Sequence, residues 1–291
     1  MKLSLIIPCL DKNDPKLKEL LNSIEAQDFS QGEMEVLVIT EGTSESSKAI
    51  GIRKAKGEVI GILASDNELI HPSFLRVMYE CLKVEDACYP SKYYHSFRDD
   101  ILNRYFALAG GNDPLAYYMR KNDRFSYLMD RLNINGSIGD NGFFIKKSLI
   151  EETDLDNYYH IDNAIEANAL PMVVLGQTIW HKTGGNIFSF FRKRYRYGLQ
   201  HAFNKNRRWH LVDFRQPRDI VRLIWFILAS LTIIHPLCLS FRGYFKIQDV
   251  AWFLHPIICL LTLMTYITLI IHLGLIKLSQ LLSAPMADPT A

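Results

Sequence analysis

Apolar positions along the chain fall into two regimes. In the first 80 residues they form short runs, LSLIIP at 3–8, MEVLVI at 34–39 and EVIGIL at 58–63. Such near-continuous runs suit strands buried on both faces of a parallel sheet. Between them the spacing turns helical. Asp14 and Pro15 form an N-cap and first-turn pair ahead of Leu17, Leu20, Leu21 and Ile24 on one helical face. A second helix runs through Ile50, Ile52 and Ala55 and is closed by Gly57. A third is predicted from Pro72 to Lys83, and MVVLGQTIW at 172–180 reads as a later strand. Strands joined by helices predict a doubly wound α/β sheet.

Beyond Arg222 the runs lengthen. Nineteen uncharged residues (223–241) and then 27 more (250–276) are each long enough to cross a bilayer as a helix. The eight residues RGYFKIQD (242–249) between them leave room only for a turn, which predicts a transmembrane helical hairpin whose turn lies outside the cytosol. His235-Pro236 breaks or kinks the first segment, which would alternatively lie in the membrane interface.

Charge changes the picture more than composition does. The net charge is only +2, yet residues 192–222 hold ten Lys or Arg against two Asp, a local excess that leaves about −6 elsewhere. A basic stretch directly before an apolar segment favours anionic headgroups over nucleic acid as partner. It also keeps the amino-terminal part in the cytosol by the positive-inside rule. MKLSLIIPCLDKND has too short an apolar run for a signal peptide. The five cysteines show no CxxC or Cys/His ligand spacing, so neither a disulfide nor a zinc site is expected. No internal repeat is present, and a short Ala/Pro tail follows Ser283.

The stretch GEVIGILASDNELIHP (57–72) carries the candidate chemistry. An apolar strand ends abruptly in Ser65, Asp66 and Asn67, and in an open α/β sheet ligands bind at that end. A carboxylate there faces a crevice, where it meets a metal or a sugar hydroxyl. The competing reading is an Asx turn or cap before the following helix.

LSLIIPCLDKN, SIEAQDF, EVLVITEG and KGEVIGILASDN, in this order, resemble the nucleotide-binding half of the family 2 glycosyltransferases, which have the GT-A fold. GDNGFFIKKSLI (139–150) resembles the segment that closes over the donor. YHIDNAIEANAL (159–170) resembles the helix bearing the catalytic base, and RKRYRYG (192–198) the basic-aromatic QxxRW-like motif. The resemblance runs from about residue 3 to residue 200 and implies a Rossmann-like, mostly parallel sheet flanked by helices. It divides the chain into a catalytic domain (1–212), membrane-anchoring helices (213–280) and a tail (281–291).

Several roles follow from that resemblance. Pro8 and Leu10 to Lys12, with Asp11 among them, line the uridine pocket; Glu41 stands against the base in place of the usual Asp, and Lys48 near the diphosphate. Ser65 and Asp66 contact the donor. Asp66 is the surviving carboxylate of a DxD-like motif in which Ala64 and Asn67 replace further acids, so Asp66, Asn67 and His181 would hold Mg²⁺ or Mn²⁺ with help from diphosphate oxygens. Asp162 is the base that takes the acceptor proton, with Glu166, one helical turn on, as its fallback; Ile161 stands where the family usually has Glu. Arg194 and Arg196 neutralise the leaving diphosphate, while Tyr197 and Asn141 face the acceptor.

The expectation is an inverting glycosyltransferase moving a sugar from a nucleotide-diphosphate sugar, a UDP-sugar, to a lipid-linked or growing glycan acceptor. It would act at the cytosolic face of the cytoplasmic membrane. The departures at Ala64, Asn67 and Ile161 keep open a catalytically weak or inactive relative that binds glycan or protein partners. A nucleotide-dependent oxidoreductase is disfavoured, because LIIPCLDKN stands where a GxGxxG turn would follow the first strand.

Overall fold

The computed structural model describes residues 1–42, 44–120, 141–151, 172–183, 186–203 and 211–283. Strand β1 (Leu3–Pro8) is buried along its whole length. It pairs in parallel with β2 (Met34–Ile39) on one side and β3 (Val59–Leu63) on the other, as the continuous apolar runs predict. Helix α1 (Pro15–Glu25) starts where expected: the Asp14 side chain accepts from Lys16 N, Pro15 opens the first turn, and Leu17, Leu20 and Ile24 are buried. Helix α2 (Ser44–Lys54) returns the chain to β3. Gly57 lies past its end, and its amide donates to Ser4 Oγ at 2.7 Å. The glycine is needed for this close approach to β1 rather than for closing the helix.

The rest of the sheet departs from the expected mostly parallel arrangement. After β4 (Asn67–Glu68) and α3 (Phe74–Cys81) come β5 (Ala87–Tyr93), α4 (Ile101–Ala109), α5 (Pro114–Met119), β6 (Asn141–Lys146), α6 (Lys147–Glu151) and β7 (Met172–His181). The order is β2-β1-β3-β6-β5-β7-β4. Strand β6 runs antiparallel between β3 and β5, and β4 antiparallel to β7, so the sheet is mixed. NGFFIK, read from sequence as part of a segment closing over the donor, is instead a central strand whose Phe143, Phe144 and Ile145 are fully buried. Because β5 and β7 are parallel, the carboxyl ends of β1, β3, β5 and β7 open on the same edge of the sheet, where β6 begins.

A second core is entirely helical. Helices α4 and α5 pack with α7 (Ile187–Phe203), α8 (Pro217–Thr232), α9 (Ile234–Lys246), a 3-10 turn (Val250–Leu254) and α10 (His255–Ser283). Phe106, Leu115, Phe226, Trp252, Ile258 and Leu263 belong to this one cluster. It takes residues from both sides of position 212, so the expected boundary there is not a break in packing. Polar ties reinforce it: Tyr105 Oη lies 2.6 Å from His255 Nδ1, and the Arg222 guanidinium donates to the Met119 carbonyl at 3.1 Å.

The first apolar segment is broken near His235-Pro236, as the sequence suggests, and so sharply that it does not form one arm of a simple hairpin. Helices α8 and α9 meet at 85°, across Ile233 in the left-handed region with φ 63°. Pro236 sits in the first turn of α9, where a missing N–H costs nothing, but it ends the ladder that would have continued α8. Among the described residues one helical stretch, Val250–Gln280, is long and apolar enough to cross a membrane. The turn between the two segments ends in Asp249, fully buried and bound to His95 Nε2 at 2.8 Å and to Arg104 at 3.4 Å.

A Cβ on Gly57 would stand 2.5 Å from Ser4 N and 2.6 Å from the Leu3 carbonyl carbon. Backbone cannot yield as a side-chain tip does, so Gly57→Ala is expected to destabilise the protein by about 1–3 kcal/mol. Denaturant or thermal unfolding of the purified protein checks this, and an unchanged midpoint would contradict it.

Candidate functional site

The site begins with the turn after β3. Ala64, Ser65 and Asp66 leave the strand, and Asn67 closes the turn: its amide N–H donates to the Ala64 carbonyl at 3.0 Å and its Oδ1 accepts from Ala64 N at 2.9 Å. Asn67 then pairs across β4·β7 with His181, and Lys182 N donates to the Asp66 carbonyl at 2.8 Å. This pairing sets His181 Nε2 3.4 Å from Asp66 Oδ1. The same Oδ1 is buried without a hydrogen-bond partner, which leaves its lone pairs available.

Electrostatics keep Asp66 ionised. Burial pushes its pKa up, but His181 beside it, and Lys193 and Lys16 farther off, outweigh burial and hold it below the usual carboxylate value. Lys16, in the first turn of α1, also donates to the Lys182 carbonyl at 2.7 Å, which fixes it at this end of the sheet. Lys182 itself is drawn aside by Glu68 and by Glu19 at 2.7 Å, with its ammonium over the Trp180 ring.

Under the site runs a buried amide chain. Asn67 Nδ2 donates to Asn141 Oδ1, and Asn141 Nδ2 donates to Tyr93 Oη, both at 2.9 Å. The Tyr93 ring supports the His181 imidazole at a centroid separation of 5.2 Å. Asn67 and Asn141 therefore clamp the turn to the beginning of β6. The expected roles of Asn67 as metal ligand and Asn141 as acceptor contact give way to this buried scaffold, since both amides are engaged inside the sheet edge.

The remaining predicted residues are dispersed. Leu10 and Asp11 are exposed on the loop after β1, with Asp11 Oδ1 accepting from Asn13 N, whereas Pro8 is buried within the sheet. Glu41 is exposed past β2, 3.2 Å from Lys54 Nζ. Lys48 is buried on α2, not solvated. Ser65 is half-buried in the turn itself. Arg196 is exposed on α7, Tyr197 lies on the same helix with its side chain outside the described set, and Asp162 and Glu166 lie outside the described residues.

Arg194 is the clearest correction. Its guanidinium is bound by the Asp113 carboxylate, donates to the Asn112 carbonyl at 2.6 Å, and reaches Tyr266 Oη at 3.4 Å. Tyr266 also donates to Asp113, and the neighbouring Tyr195 hydroxyl bonds His272 Nδ1. Burial alone would lower the Arg194 pKa, but Asp113 and Tyr266 more than compensate and raise it. Arg194 fastens α7 to α5 and α10 instead of facing a diphosphate. The cations that act on Asp66 are Lys193, one residue earlier, and Lys16; Lys16 carries no motif, and only its place in the first turn after β1 marks it in sequence.

Among the described residues no group of three or more His, Cys, Asp or Glu forms a metal site. What Asp66 and His181 supply is two donors, one of them an oxygen with no other partner, and that set fits a divalent cation completed by phosphate oxygens.

No protein-family model matches the chain, and no curated protein matches it. Solved structures do. The mannosyltransferase PcManGT from Pyrobaculum calidifontis, in complex with GDP-Man and Mn²⁺, aligns over 92% of this chain and 87% of its own at 11% identity, with a TM-score of 0.51. S. aureus TarS 1-349 in complex with UDP-GlcNAc aligns over 89% and 90% at 14% identity, with a TM-score of 0.43, a likeness too slight to argue from. The chain thus shares the fold of a mannosyltransferase.

The Arg194 cluster makes a direct prediction. Asp113→Asn keeps the helix cap on α5 but leaves a buried guanidinium without its counter-charge, a change that costs about 3–5 kcal/mol. A shift of that size in the unfolding midpoint is expected, and a change below about 1 kcal/mol would mean that Arg194 is solvated and not held by Asp113.

Proposed function

We propose that the protein is a glycosyltransferase that transfers a sugar from a nucleotide-diphosphate sugar, a UDP-sugar, to a lipid-linked or growing glycan acceptor at the cytosolic membrane face. One observation carries the reading: a buried carboxylate oxygen without a hydrogen bond, Asp66 Oδ1, stands 3.4 Å from His181 Nε2 at the carboxyl edge of the sheet. The fold it sits in is shared with a mannosyltransferase whose structure holds GDP-Man and Mn²⁺.

Asp66 and His181 are the residues that would hold Mg²⁺ or Mn²⁺. A bound cation would neutralise charge on the leaving diphosphate. Lys16 and Lys193 add positive charge near Asp66 that would favour a diphosphate, and Leu10 and Asp11 are exposed on the loop after β1, where the base would sit. Inverting transfer needs a carboxylate opposite the leaving group. Asp162 is proposed for that role: the acceptor oxygen bonds the anomeric carbon, the bond from that carbon to the diphosphate oxygen breaks, and the acceptor proton passes to the carboxylate. Glu166 is the second choice.

The membrane part of the reading rests on the helical core. Helices α8 to α10 expose Val221, Trp225, Leu228, Phe245, Ile270 and Leu275, among other large apolar side chains. A weak or inactive binding relative remains the second reading, favoured by Ala64 in the turn where a further carboxylate would strengthen metal binding.

Thermal-shift titration of the purified protein with UDP- and GDP-sugars, with and without Mn²⁺, tests the donor site. Wild type is expected to show a Mn²⁺-dependent shift that Asp66→Asn loses. An unchanged shift in the variant would remove Asp66 from the site, and no shift with any donor would sink the reading.

For catalysis, Asp162→Asn is expected to lower transfer by about two to four orders of magnitude with donor binding intact. Activity retained in that variant would move the base to Glu166 and make Glu166→Gln the decisive comparison.

A further inference from the structure

Both long apolar segments are tied to the catalytic body, the first through His235 at 3.0 Å from the Tyr118 hydroxyl and the second through His255 at 2.6 Å from the Tyr105 hydroxyl. The turn that a hairpin would carry across the membrane ends in Asp249, whose buried carboxylate bonds His95, two residues past β5, and Arg104 on α4. The chain entering α8 and the chain leaving α9 are therefore on one side. Neither helix spans alone, since α8 with 16 residues and α9 with 13 reach only about 24 and 20 Å against a hydrocarbon core of about 30 Å, and they diverge by 85°.

Helix α10 has the length, but it is tied to the catalytic body at several points as far as His272. His255 bonds Tyr105, Tyr266 joins the Arg194 cluster, and His272 bonds Tyr195. Between those ties Leu269 lies against Gly198, where a Cβ would come within 2.6 Å of its methyl. The 11 residues after His272 extend only about 16 Å, half of a crossing. Were α10 to stand across the bilayer, α7 would be carried in beside it, with Arg192, Lys193 and Arg196 exposed on its surface, at about 2.5–3.5 kcal/mol each near the centre.

The outer surface of α10 carries Ile257, Met264, Ile267, Ile270, Ile271, Leu275 and Leu278, while His255 and Thr262 are buried and Tyr266 and His272 are tied to the catalytic body. Exposed Arg215 and Arg218 flank the start of α8, and exposed Arg242 and Lys246 lie toward the end of α9, which sets basic groups at both ends of the bent pair, as anionic headgroups would require.

We infer that α8, α9 and α10 form an in-plane layer seated in a single anionic leaflet, that none of them crosses the bilayer, and that residues 246 and 283 lie on the same side as the catalytic body. The inference rests on the membrane attachment proposed above and replaces the hairpin topology.

Cysteine reporters separate the possibilities in the full chain. In a Cys238→Ser background, Lys83→Cys marks the catalytic body, Lys246→Cys the turn and Ser283→Cys the end of α10. Sealed vesicles of both orientations are treated with a membrane-impermeant maleimide. All three sites are expected to label in one orientation and to lose labelling together in the other. Ser283→Cys labelling opposite to the other two would show that α10 crosses. Lys246→Cys labelling opposite to the other two would restore the hairpin. Either result overturns the in-plane layer. Protein found in the supernatant instead of the membrane pellet would overturn both it and the attachment on which it rests.

Discussion

The antiparallel pairing of Asn67 with His181 is the constraint on which the rest of the site depends. Two main-chain links hold the turn after β3 against the end of β7, and the imidazole is thereby brought to a carboxylate that burial alone would drive toward its neutral form. Burying a carboxylate is costly unless opposite charge stands near it. Here His181, Lys193 and Lys16 offset that cost from three different elements, β7, α7 and α1. The Asn67–Asn141–Tyr93 chain extends the same constraint into the sheet and supports the imidazole from below.

How far the sequence revealed this arrangement depended on whether local or distant partners fixed each element. The first three strands and α1 were legible because burial on both faces gives continuous apolar runs, and because Asp14-Pro15 is a start signal that acts within four residues. Asp66 was legible for the same reason, as a carboxylate after an apolar strand. Strand β6 was not, since NGFFIK is short and its direction is set by neighbours far along the chain. Asn67 and Asn141 were read as contacts for ligands because nothing in either neighbourhood announces that the two amides meet.

Arg194 illustrates the limit at single-residue resolution. Successive residues on a helix point about 100° apart, so a basic-aromatic run contains side chains bound for different destinations. In α7, Lys193 acts on Asp66, while Arg194 and Tyr195 turn to Asp113, Tyr266 and His272. The run stood out by its charge, but the destination of each side chain required the positions of α5 and α10. Likewise the apolar length of residues 223–276 was evident, whereas its folding back depended on Asp249 finding His95 and Arg104.

Helix α7 is consequently the wall between the two halves of the molecule. One residue contributes to the field at the buried carboxylate, and the next two bind the helix whose outer surface is apolar. Because those contacts are charged or hydrogen-bonded and largely shielded from solvent, they favour one placement of the helix over small displacements. A displacement of α10 would therefore be transmitted through Tyr266 and His272 to the backbone that carries Lys193, so the position of one cation near Asp66 depends on a helix that does not itself touch the site.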